Sequence, residues 1–472
     1  MNRKVIFVVF TAVIFSCNNK KGSLQNNQGT LSDKEIIQTF KEAYEFAYPM
    51  ILFNSTQQLM VNTETIVRNN GPMMAPINQI VSASHFPDAK DHTVIRMNVD
   101  TYYTSCWMNL EKEPLVFQIP NTNGRYYLMP LLDAWSNVFF CPGKRNTGTQ
   151  EQTYLLTGPE WKGNVPSGIK QVKAPTNMIV LLGRTQVNSK EDGATTVRKI
   201  QEGYKIIPLS SYGKSYLAPK GKVDPSVPRK APGDVVIEMS TVDFFNTFNK
   251  LLVINPAQSK DSIIMKKLAS IGIAPGLKFD ISKFSKAVQD SIAVISNWAK
   301  VEMGKNGFNS SKLINGWSLE HGLGDYGTKY KFRAGIAYTG WGANLDKDAM
   351  YPSSSIDADG DPYDGSKHKY VLHFDKGQTP PSNAFWSLTL YDSKGFFYDN
   401  ALNRYSIGDR NPLKINKDGS VDIYIQNETP EKEKMNNWLP APKAPFNFML
   451  RVYWPKEEMI NGKWNVPAVK KQ

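Results

Sequence analysis

Polar side chains set into aromatic stretches are the places where this sequence could do chemistry. In the first half they are Asn98, Asp100, Thr101, Tyr103, Arg125, Asp133 and Trp135; in the second, Arg333, Trp386, Arg404 and Tyr405. A carboxylate such as Asp100 can serve as acid, base or ligand hydrogen bonder, which makes it the catalytic candidate. A guanidinium such as Arg125 or Arg404 can hold an anionic group, and tryptophans can wall a site by stacking. The same residues admit a structural assignment, in which Asp100 and Arg125 form an ion pair and the aromatics are core, because polar groups embedded in strands must find partners or cost stability. The residue types leave both assignments open.

A second constellation spaces carboxylates at alternate positions, Asp357, Asp359 and Asp361, the pattern with which a loop wraps oxygen ligands around calcium. It is not an EF-hand: Pro362 stands where that loop needs glycine, and His368 where it needs a bidentate glutamate. Calcium is the cofactor such a loop would take, although Asp359-Gly360 and Asp364-Gly365 are also ordinary turn formers. The segment Gly322-Leu323-Gly324-Asp325-Tyr326-Gly327 spells a dinucleotide fingerprint. Ser318 to His321 before it is no buried parallel strand, so a glycine-rich connection is expected there. The histidines His85, His92, His321, His368 and His373 are too dispersed for a helical zinc motif, and neither a nucleophile elbow nor a Walker loop occurs.

The elements that would position these residues begin with an export signal. Met1 to Lys4 is positively charged, Val5 to Phe15 is apolar but too short to span a bilayer, and Ile14-Phe15-Ser16-Cys17 resembles a lipobox. The expected product is cut before Cys17, carries lipid on that cysteine, and is tethered to a membrane of the cell envelope by the polar residues 17–30. Export disfavours nucleic acid as the partner of the +13 formal charge, whose lysines are spread singly. Cys106 and Cys141 would then meet an oxidising compartment, where a disulfide and two small buried residues are equal alternatives.

Ser32 to Glu35 has the capping-box pattern, and a helix should follow until Pro49 breaks or kinks it. Short β-branched and aromatic runs at 115–119, 125–132, 152–157 and 178–183 read as a β-sandwich within 31–212. Residues 213–239 read as a linker and 240–330 as helices. Runs at 370–374, 385–391, 421–426 and 446–453 read as a jelly-roll sandwich within 331–472. The expected fold class is mainly β with a helical segment.

In that order the segments resemble a two-part bacterial family. The first half carries Asn98-Val99-Asp100-Thr101-Tyr102-Tyr103, Arg125-Tyr126-Tyr127, Gly158 to Gly163 and Pro175-Thr176-Asn177. The second carries Arg333-Ala334, Pro380-Pro381, Phe385 to Thr389, Asn403-Arg404-Tyr405-Ser406 and Asn437 to Pro442. The chain is similar to proteins that join domain of unknown function 1254 to domain of unknown function 1214. The resemblance implies an N-terminal immunoglobulin-like sandwich, middle helices and a C-terminal jelly roll, and it brings no reaction. The functional expectation is therefore a membrane-anchored lipoprotein binding a small molecule or glycan in a cleft associated with its two sandwiches. The alternative is a hydrolase-like enzyme using carboxylates with a divalent metal.

Overall fold

The computed structural model describes residues 31–68, 73–92 and 95–472. The export signal, Cys17 and the tether lie outside the described residues. Among the described residues no helix is long and apolar enough to cross a membrane.

The capping box forms as its residue types require: Ser32 Oγ accepts from the Glu35 amide at 3.4 Å, and Glu35 Oε2 accepts from the Ser32 amide at 2.7 Å. The helix it starts, Asp33–Met60, does not break at Pro49. Proline removes one backbone donor, but Met50, Ile51 and Phe53 beyond it are fully enclosed, and their burial outweighs that local loss. Around this helix pack Pro232–Glu238, Thr241–Ile254, Ser262–Ala269, Lys286–Ala293, Ile295–Lys305 and Tyr330–Gly340. This layer is larger than a connecting segment, so the chain is mixed, 28% helical and 23% strand, rather than mainly β.

Each β half has a six-stranded and a four-stranded sheet. In the first, Thr101–Asn109 pairs antiparallel with Met178–Gln186 in the larger sheet, while Leu115–Ile119 and Gln152–Thr157 are central in the smaller. Cys106, Met108, Phe117, Leu156, Ile179 and Leu181 fill the core they share. In the second half, Ser382–Asp392 pairs with Phe446–Pro455 in the larger sheet, and Tyr370–Phe374 with Val421–Gln426 in the smaller. Trp386, Leu388, Leu450, Val452, Leu372 and Ile423 lie in their shared core. Cys106 and Cys141 are both free and buried in different cores, and burial pushes both thiols up.

Candidate functional site

Side chains alternate across a strand, so the residues that fill each half's core fix which ones face away from it. With Cys106 and Leu181 inward, Tyr103 and its cross-strand partner Arg184 face outward. With Trp386, Leu388, Leu450 and Val452 inward, Phe385, Ser387, Thr389, Arg451 and Tyr453 face outward. The two outward faces meet. The result is an interior seam between the halves whose lining is polar and aromatic.

Asp100 is the fully enclosed anion of that seam. Asn98 shapes the entry to its strand: Asn98 Oδ1 accepts from the amides of Asp100 and Thr101, both at 2.9 Å, and from Thr101 Oγ1 at 3.2 Å, while its Nδ2 donates to Tyr103 Oη at 2.8 Å. One carboxylate oxygen of Asp100 accepts from Ser387 Oγ at 2.6 Å, and the other from Arg410 Nη2. Arg410 also donates to the Val187 carbonyl at 2.7 Å and lies over the Phe385 ring, 4.2 Å from its centroid. The expected partner was Arg125, and the structure corrects it. Arg125 makes a bidentate pair with Asp192 at 2.9 and 2.7 Å, from the turn at Asn123-Gly124 that lies at the rim of the first half. Asp100 thus joins the two halves, an arrangement sequence separation hides.

Two further arginines occupy the seam. Arg184 Nη1 donates to the Leu182 carbonyl at 3.0 Å and Asn344 Oδ1 at 2.9 Å, and its guanidinium lies 5.0 Å from the Tyr103 ring centre. Asn344 in turn donates to Tyr351 Oη. Arg451 Nη1 donates to Thr389 Oγ1 at 2.9 Å and Nη2 to the Arg96 carbonyl at 2.6 Å. Sequence reading missed Arg184, Arg410, Arg451 and Ser387. The available signal was the alternation of Ser387 and Thr389, and of Arg451 and Tyr453, between apolar neighbours.

The remaining candidates are scattered. Trp135 and Arg333 meet inside the helical layer, the guanidinium 5.1 Å from the Trp135 ring and 5.2 Å from that of Phe46. Beside them Asp133 is pushed up to about 6 by burial, against donors from Trp135, Asn137 and Gln258. Trp386 is core, so with Trp135 it builds no exposed stacking wall. Arg404 holds the carbonyls of Met435 and Trp438 at 2.9 and 2.8 Å, and Tyr405 stacks on Phe397. In the acidic loop, Lys471 Nζ lies 3.3, 3.2 and 2.6 Å from Asp357, Asp359 and Asp361, so a protein cation stands among the expected calcium ligands. The carboxylates still offer ligand atoms within 4.8 Å of one another. Gly322 and Leu323 donate their amides to Asp346, at 2.7 and 3.2 Å, in a connection of the ordinary glycine-rich kind.

Arg125 lines a polar cavity of about 810 Å³ at the rim of the first half, together with Asn121, Asn123, Asn188, Thr195 and Lys199. One wall is the π-helical turn Gly193–Val197, a geometry frequent at functional sites. Gly193 permits it, since a Cβ there would meet Tyr102 Oη at 2.4 Å.

Residues 77–208 match the family model described as "Protein of unknown function (DUF1254)", and residues 348–457 match that described as "Protein of unknown function (DUF1214)". No curated protein matches the chain. Among solved structures, the VPA0106 protein from Vibrio parahaemolyticus is similar, with TM-score 0.69 and 23% identity over 93% of this chain and 100% of that one. At that identity the likeness concerns the fold. A protein from Burkholderia cenocepacia aligns over 93% of this chain and 94% of that one, with TM-score 0.42 and 10% identity.

Proposed function

Because the chain belongs to the family that joins a DUF1254 domain to a DUF1214 domain, and that membership carries no reaction, we propose a function read from the seam: an exported, lipid-anchored protein that holds a small molecule between its two β halves. We infer further that the paired sheets of the first half are an immunoglobulin-like sandwich and those of the second a jelly roll; the core shared by each pair supports this.

One observation carries the ligand reading. The outward faces of the two large sheets, where an apolar joint would be the stable solution, place Asp100, Arg184, Arg451 and Tyr453 opposite one another. Burying such groups costs stability unless each is partnered, so their presence argues for binding rather than for adhesion between halves. Asp100 is a positioning group in this reading, since Ser387 and Arg410 already occupy both its oxygens. Native mass spectrometry of the full-length protein should detect a co-purifying small molecule in wild type that is absent from Tyr103→Ala. Identical spectra with no bound species would defeat the reading.

The rim cavity supports a second ligand, a polyol or glycan, because amides and hydroxyls dominate its lining. Lys199→Ala with Asn123→Ala should abolish retention on an immobilised glycan that wild type binds; equal retention would remove this site. For the anchor, Cys17→Ala should abolish metabolic fatty-acid labelling, and label kept in the variant would rule out Cys17 as acceptor.

A further inference from the structure

The charges in the seam do not balance. Arg184 and Arg451 are 9% and 4% exposed, and a guanidinium cannot shed its proton in a protein. Neither forms an ion pair among the described residues; the buried pairs that cross between the halves join Asp100 to Arg410 and Asp348 to Arg145, so each of these carboxylates is taken by another arginine. The groups that act on Arg184 are the phenols of Tyr103, Tyr351 and Tyr453. Those that act on Arg451 are Tyr391, Tyr453 and Tyr103, with Asp100 as the single carboxylate. Burial pushes the phenols of Tyr351, Tyr391 and Tyr453 up, so at neutral pH they offer ring faces and oxygens but no negative charge. Arg96, half-buried and next to Arg451 and Tyr391, adds a third cation without a carboxylate partner among the described residues. Asp409, beside Arg410, has much of its surface exposed, yet burial pushes its carboxyl up to about 6, and its Oδ1 accepts from the Trp386 amide at 3.1 Å; the cation it faces is Arg410.

Neutral acceptors fix the two arginines without discharging them. The Leu182 carbonyl and Asn344 hold one, and Thr389 with the Arg96 carbonyl holds the other. Both act on the same two tyrosines, Tyr103 and Tyr453, so they share neighbours within the seam. Tyr103 and Tyr351 are half-buried. Buried guanidiniums without an ion-pair partner, ringed by phenols, form the environment that recognises an oxyanion, because charge-assisted and bidentate hydrogen bonds are strongest where water is excluded.

Resting on the reading that the seam holds a small molecule, we infer that its ligand carries an oxyanion, a carboxylate or a phosphate, bound between Arg184 and Arg451. The test compares thermal unfolding of the full-length protein with inorganic phosphate, citrate or neutral cellobiose, each against chloride at constant ionic strength. Wild type, Arg184→Met and Arg451→Met are measured in parallel. Phosphate or citrate should raise the wild-type midpoint saturably by about 3 °C or more, as expected for a ligand that binds only the native state, and both variants should lose that rise. Whichever anion acts identifies the class. In chloride alone Arg451→Met should melt no lower than wild type, because it removes a charge lacking a counter-charge. A cellobiose response lost in Tyr103→Phe, with anions inert, would keep the seam as a ligand site and overturn the oxyanion. No response to any probe, with both methionine variants melting lower in chloride, would make the seam a structural joint and overturn both readings.

Discussion

Arg333 in the helical layer and Arg451 in the seam are both buried and ring-lined, yet they differ in the carboxylates around them. Arg333 is 1% exposed, packed among Phe46, Trp135 and Tyr330, with the enclosed carboxylates of Asp133 and Asp261 acting on it. Its Nε and Nη1 make no hydrogen bond, and burial lowers its pKa although the two carboxylates act against that shift. Arg451 has its donors placed on neutral acceptors and no ion pair, with Asp100 as the single carboxylate acting on it. Burial alone therefore does not distinguish a structural arginine from a binding one; the count of nearby carboxylates does.

The largest effect should come from Arg333. Arg333→Met leaves Asp133 and Asp261 enclosed without their cation, and breaking a buried charge set by removing one member costs about 3–5 kcal/mol. Chemical denaturation measures it, beside Arg451→Met, for which little or no loss is expected. Equal losses in the two variants would erase the contrast. Asp100→Asn should rank next, at about 1–3 kcal/mol, since Arg410 is 22% exposed and water can partly solvate it once its carboxylate is gone. A loss as large as that of Arg333→Met would mean that the Asp100 pair dominates the cohesion of the halves.

The sequence reveals the elements better than their meeting places. Strands at 115–119, 152–157, 370–374 and 421–426 coincide with the observed ones, because each is a short apolar run closed by turn residues. The helix runs on past Pro49 instead of breaking there, because the local rule is outweighed by burial of Met50 to Phe53. Asp100 was recognisable as special from Asn98 and Thr101 beside it, but Ser387 and Arg410 lie 287 and 310 positions away. No periodicity encodes such a pairing. Arg333 and Trp135 were singled out as ligand groups, whereas the structure encloses both in the helical core; their types signal importance without saying of which kind.

The contrast has a pH signature. Burial pushes Asp133, at the end of strand Leu131–Asp133 against the helical layer, up to about 6 from 3.8 and Glu45, in the helix Asp33–Met60, up to about 7 from 4.5. A carboxyl whose folded value is raised contributes stability fully present below its unfolded value and lost as pH rises through the folded one. The helical layer should therefore weaken between about pH 4 and pH 7, by on the order of 1–2 kcal/mol per group after allowance for solvent relaxation. His373 beside Asp422 has the same sign. Denaturation midpoints at pH 5 and pH 7.5 measure the slope, and Glu45→Gln should flatten part of it. A midpoint rising over this window would show that these carboxyls are not protonated in the folded state.

The smallest effect concerns the acidic loop, where charge balance again decides. Lys471 on the terminal strand Val469–Lys471 supplies a cation to three carboxylates, and these ion pairs hold its ammonium well above, and Asp361 well below, their ordinary values. Asp357 is tied further, its Oδ1 accepting from the amides of Asp359 and Asp361 at 2.9 and 3.1 Å, which shapes the turn without any ion. Calcium entering the wild-type loop must displace or crowd the ammonium, so melts in excess calcium and in chelator should superimpose. Lys471→Ala removes that competitor and leaves the three oxygens converging. In this variant calcium should raise the midpoint by about 1 °C, a small gain because Asp359 and Asp361 are 67% and 66% exposed and water already serves them well. A wild-type response equal to the variant's would mean that the lysine does not hold the position, and that the loop is a calcium site in its own right.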